Sequence, residues 1–285
     1  MSSIRNPGNF LAGQRLGGML GAVLASGMGL LLVLTAFGGW FVHISYDLPF
    51  LFAPERRLED VVLVEMDDQS RQQLNQPLHQ MWDRSVHARL LDRLSSEQAR
   101  LVIFDGFLKG PGPEQGADEK LAQAIKANGH VVLAGDLYSI SEPSVSGTTV
   151  DPPHESFLKN AVGWGVAALA LDRDSTVRQH FVGTLMVPSL PWVAAKFAQA
   201  PATIPPEARS AARWLRCYGP AGTLPHTSYY LAFEKPPGFF RGKYVFIGAR
   251  PAAGYLDAKR EEFRTSYTRW DGQYSSGMEI LYSRA

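Results

Sequence analysis

The chain has a single cysteine, Cys217, in 285 residues. One thiol excludes an internal disulfide framework, and Cys217 reads as a small buried side chain in the strand-like "WLRCYG". An excess of one charge is also missing: 28 basic residues interleave with 27 acidic ones and leave a net charge of +1. That balance gives no electrostatic footprint for nucleic acid. The histidines contain no pair at a spacing suited to zinc. No Gly-x-Ser-x-Gly elbow and no Gly-x-Gly-x-x-Gly turn occurs, and the strand-end aspartates lack the second acid of a phosphatase motif. No metal, no cofactor and no catalysis are assigned.

Long apolar runs are scarce too, and the one present is informative. Leu16 to Val42 carries no formal charge. As a helix rising about 1.5 Å per residue it reaches roughly 40 Å, more than a bilayer core of about 30 Å. It exceeds the apolar stretch of a secretory signal, so it is expected to stay as an anchor. Arg5 and Arg15 precede it without an acid, while mixed charge follows. The positive-inside rule then puts residues 1–15 in the cytoplasm, a single transmembrane helix at 16–42, and one domain, 43–285, outside the membrane. Gly13, Gly17, Gly21, Ala25 and Gly29 recur at every fourth place. Such a face lets helix backbones approach closely, which predicts a homodimer or a membrane complex.

The exterior part alternates. "DVVLVEMDD" (60–68), "RLVIFDGFL" (100–108) and "HVVLAGDLY" (130–138) read as strands, with helices expected at 83–99 and 118–129. This is the signature of an α/β fold with a largely parallel sheet and helices on both faces. Residues 139–153 read as an exposed loop, and 162–172, 176–187, "LRCYG" and 242–249 as further strands. Helices are expected at 191–200 and 205–214, and "DRDS" (172–175) reads as a turn rather than a calcium loop.

Carboxylates gather where these strands end. Asp67, Asp105 and Asp136 close three of them, and Asp257 follows the last. Ligands bind at that edge of an open parallel sheet, although Asp also serves there simply as a cap. Asp67, Asp105 and Asp257, with Arg84 as a charge partner, are the expected ligand pocket.

In order, "VVLVEMDDQS", "MWDR", "ARLVIFDGFL", "DEKLAQAI", "HVVLAG", "DRDSTVR", "YGPAGTLPHTSY", "FRGKYVFIGA", Asp257 and "SGMEI" resemble the extracytoplasmic sensor domain called CHASE, type two. The resemblance covers about Asp60 to Ile280. It departs at Asp83, where the family has Pro, at "FRTSYT", which lacks Thr-Pro, and at "GMEIL", which lacks a His after Glu-Ile. It implies a receptor of the bacterial inner membrane with further spans and a cytoplasmic cyclase or kinase output beyond Ala285. Three functions follow: a sensor binding an unidentified extracytoplasmic ligand, a scaffold subunit of an envelope complex, or a hydrolase using Asp67, Asp105 and Asp257. The sensor is the reading adopted.

Overall fold

The computed structural model describes residues 7–56, 58–77, 80–106, 108–114, 116–142, 145–250 and 262–282. The chain divides into two units, Met1–Phe52 and Ala53–Ala285.

The first unit holds α1 (Pro7–Leu34) and α2 (Ala36–Asp47). A single helix over 16–42 is therefore corrected: the chain breaks at Thr35, whose backbone is extended at φ −110°, ψ 158°. The Thr35 hydroxyl donates to the Leu31 carbonyl at 2.6 Å, occupying an acceptor at the end of the helix. Gly38 completes the break, because a Cβ there would fall 1.3 Å from the Leu32 carbonyl oxygen. Among the described residues no helix is long and apolar enough to cross a membrane. Residues Gly17–Leu32 of α1 are exposed throughout. Gly17, Gly21 and Gly29 have nothing within 4 Å of a would-be Cβ, and Ala25 is exposed. Gly13 lies on α1 where side-chain surroundings fall outside the described residues.

The second unit opens with β1 (Val61–Met66), α3 (Asp68–Gln73), α4 (Arg84–Ser96), β2 (Leu101–Asp105), α5 (Ala117–Asn128) and β3 (Val131–Glu142). After these come β4 (Val145–Asp151), α6 (Glu155–Leu158), β5 (Gly163–Val166), β6 (Ala170–Leu171), β7 (Val177–Gln179) and α7 (Leu190–Phe197). The remainder is β8 (His226–Ser228), α8 (Tyr229–Ala232), β9 (Tyr244–Ala249), β10 (Glu262–Phe263), α9 (Thr268–Asp271), β11 (Ser275–Ser276) and α10 (Gly277–Tyr282).

The main sheet runs β4-β3-β2-β9-β1-β8, with β5 also on β3. Every pairing in it is parallel except the β3–β4 hairpin. Period-2 alternation divides each strand between two cores. Val62, Val64, Phe104, Leu133 and Ile247 belong to one core with α4, α5 and α8. Val61, Leu63, Ile103, Val132 and Phe246 belong to the other with α7 and α10. Burial on both faces is why these strands read as continuous apolar runs. On α4, Leu90, Leu91 and Leu94 are fully buried, each contributing about 1.5–3 kcal/mol of apolar burial. Asp83 caps that helix by accepting from the Ser85 amide at 2.8 Å.

Several expected elements differ. The loop expected at 139–153 is largely the β3–β4 hairpin, whose Ser, Thr and Gly residues interrupt the apolar pattern that marks a strand in sequence. The helix expected at 205–214 is a single 3-10 turn, Pro206–Arg209. "LRCYG" forms no strand; Trp214 makes one isolated bridge to Gln179, and Cys217 is half-buried. The strand expected at 176–187 is only Val177–Gln179. "HTSYY" instead contains a strand, β8, running into α8.

Candidate functional site

From β1 the chain builds the sheet outward through β2, β3 and β5, places β8 on the opposite side, and returns with β9 between β1 and β2. The strand order thus reverses at β1, which is where an open α/β sheet leaves a crevice beyond its carboxyl ends. A cleft of about 380 Å³ lies there. Met66, Asp105 and Ala249 supply its floor from the ends of β1, β2 and β9, and Trp82, Arg84 and His87 its wall from the start of α4.

Arg84 is 1% exposed. Its guanidinium donates to Asp118 at 2.6 Å and to the Lys109 carbonyl at 3.0 Å, and lies 4.9 Å from the centroid of the Phe157 ring. Its charge partner is therefore Asp118 on α5, not one of the strand-end aspartates. Burial pushes the Asp118 carboxyl up, but the hydrogen bonds from Arg84 and the Gly112 amide outweigh it and hold the group below its ordinary value. His87 is stacked on Trp82 at 6.2 Å, and its Nδ1 lies 2.8 Å from the Tyr229 hydroxyl. Burial, reinforced by the Arg84 charge and opposed by Asp83, lowers its pKa to about 4. At neutral pH the cleft wall is thus a neutral imidazole beside an indole, with one buried guanidinium fixed in place.

Of the expected site residues, the cleft brings together Arg84 and Asp105. Asp67 caps α3, accepting from the Ser70 amide at 2.7 Å, and also accepts from the Ser228 hydroxyl, which ties β8 to the end of β1. Asp67 is not among the residues lining the cleft. Asp257 lies outside the described residues. Asp136 pairs with Lys109 at 2.9 Å. The "DRDS" turn is present, and Asp172 and Asp174 both accept from Arg178, which is 2% exposed. The hydrogen bonds from Arg178 hold Asp174 well below the usual carboxylate range.

A second polar cavity, about 170 Å³, was not expected from the sequence. Glu65, His226, Arg250, Glu262 and Glu279 line it. Glu65 pairs with Arg250 at 2.6 Å, and Glu279 accepts from the Gly222 amide at 3.0 Å. The readable signal was Glu65 itself, a charge in the apolar period of Val61 and Leu63. One rung of the sheet joins the two cavities: Glu65 and Asp105 are both paired with Gly248, one on each side. A Cβ on Gly248 would stand 3.0 Å from the Met278 sulfur of α10 and 3.3 Å from the Asp105 Cβ. Glycine is what lets α10 approach the sheet at that rung.

The fold defines a class: a doubly wound α/β domain with a crevice at the carboxyl edge of its sheet. The chain belongs to the CHASE2 domain family, whose model matches residues 22–283, nearly the whole chain. That is a family of extracytoplasmic sensory domains, as the resemblance read from the sequence implied. No curated protein and no solved structure matches the chain.

Proposed function

We propose that this chain is the extracytoplasmic input of a bacterial membrane receptor, and that the cleft between α4 and the carboxyl edge of the sheet takes a small ligand with an apolar body and a cationic end. The observation that carries the reading is the cleft at the switch point. Asp105 lines it at the end of β2, while Trp82, Met66 and Met81 supply apolar and π-electron surface. An ammonium group gains a charge-assisted hydrogen bond from such a carboxylate and attraction to an indole face. Arg84 orients the wall and is held by Asp118. No catalysis is assigned to the chain.

The anchoring part of the reading is supported by the apolar side chains exposed along α1, among them Met19, Leu20, Val23, Leu24 and Met28. In this reading α1 lies in the inner membrane with the N-terminus cytoplasmic. Its small residues pair it with a second copy, and a cyclase or kinase responds inside. A matched pair of probes tests the cleft. Benzylamine should raise the thermal midpoint of the full chain more than benzyl alcohol does, and Asp105→Asn should abolish that preference. Equal shifts from amine and alcohol in the natural chain sink the proposal.

A further inference from the structure

The second cavity lies under α10, and three carboxylates and one arginine are among its lining. Around Glu279 stand Glu65 from β1, His226 from β8, Arg250 beyond β9, Glu262 from β10, and Cys217, Tyr218 and Tyr274 from the loops. Two carboxylates there are removed from water, Glu65 at 5% and Glu279 at 9% exposure. The arginine beside them is committed to Glu65 at 2.6 Å. Glu279 accepts from the Gly222 amide, so α10 is tied to the 219–225 loop by a carboxylate that lines the same cavity as Glu65.

We infer that Glu279 and Glu65 form a proton-dependent latch: uptake of a proton by Glu279 removes the repulsion between the two carboxylates and seats α10 more firmly on the sheet. Burial raises the affinity of Glu279 for a proton, the amides of Gly222 and Leu224 oppose this, and Glu65 raises it further against His226. The sign follows from linkage. A carboxyl whose folded-state pKa is raised binds its proton more tightly folded than unfolded, so acidification through that pKa stabilises the folded form, and alkalinisation returns the cost. The consequence is local, because the same helix carries Met278, which meets Gly248 between Glu65 and Asp105. Seating α10 therefore presses on the rung that forms the cleft floor, making external acidity a second input. The effect on the cleft rests on the ligand reading above; the latch does not.

The test is hydrogen exchange on the full chain without ligand, followed by mass spectrometry from about pH 4 to about pH 8, with intrinsic rates corrected. Protection of the α10 amides should rise several-fold on acidification. Glu279→Gln, which mimics the protonated group, should hold high protection at every pH. Flat protection in the natural chain, or an undiminished pH dependence in Glu279→Gln, overturns the latch. Should Glu279→Gln not fold, Glu65→Gln decides. It removes the repelling charge and leaves only the half-exposed Arg250 unpaired, so a pH dependence as large as in the natural chain refutes the inference. Because no ligand is present, failure here leaves the ligand reading standing, and failure of benzylamine leaves the latch standing.

Discussion

Replacing Arg84 with Met removes the charge that holds the cleft wall while keeping much of the side-chain volume. The guanidinium is buried and reaches Asp118 at 2.6 Å, Lys109 O at 3.0 Å and the Phe157 ring. Removing one partner of a buried pair costs about 3–5 kcal/mol, because the other charge is left uncompensated. The Asp118 side chain is 20% exposed and keeps its Gly112 amide, so the low end, about 3 kcal/mol, is expected. At about 2–4 °C per kcal/mol for a domain of this size, the midpoint should fall by roughly 6–12 °C. Circular dichroism against temperature measures it, and Arg84→Met/Asp118→Leu should recover part of the loss by removing the orphaned charge. Because Asp118 is held below its ordinary pKa of 3.8, it contributes stability that is present above that pH and lost as pH falls through its folded value. The Met variant should lose that contribution. A midpoint within 1–2 °C of the natural chain, on the scale of about 2–4 °C per kcal/mol, or a double variant no better than the single one, refutes the account.

Two further outcomes are expected. His87, neutral with a pKa near 4, binds its proton less tightly folded than unfolded, so stability should fall as pH drops from about 6.5 toward 4. At 1.36 kcal/mol per unit the full loss is roughly 3 kcal/mol, and chemical denaturation of His87→Gln should show that slope removed. Gly21→Leu, at a position with open space around it in the single chain, should weaken self-association in a membrane two-hybrid assay. Undiminished association contradicts helix pairing through that face.

The strands β1, β2 and β9 were legible because both faces are buried, which leaves an unbroken apolar run in each. Helices α4 and α5 were legible from their spacing, and α5 also from Asn128-Gly129, where Gly129 adopts φ 67°. The β3–β4 hairpin was hidden because Ser, Thr and Gly interrupt its apolar residues, and β8 because three residues are too few to show a period. At the site, position along the sheet was readable and partnership was not. Arg84 and Asp105 both line the cleft, but the partner of Arg84 comes from a different helix, and no local pattern announces such a pair. Asp67 carried the right residue type for two roles, and the structure gives it the cap.

The insertion of β9 between β1 and β2 sets the order in which this domain can fold. Until residues 244–249 are available, the chain can hold only two half-sheets, β1 with β8 and β2 with β3 and β5. Each presents an unpaired apolar edge, the kind of surface that aggregates. Pairing β9 with β1 closes a loop of nearly the whole domain, a non-local step expected to be slow. The cores on both faces thus wait for the last central strand. A chain cut before Ala249 would not make a smaller domain: it would leave two sticky halves without the strand that joins them.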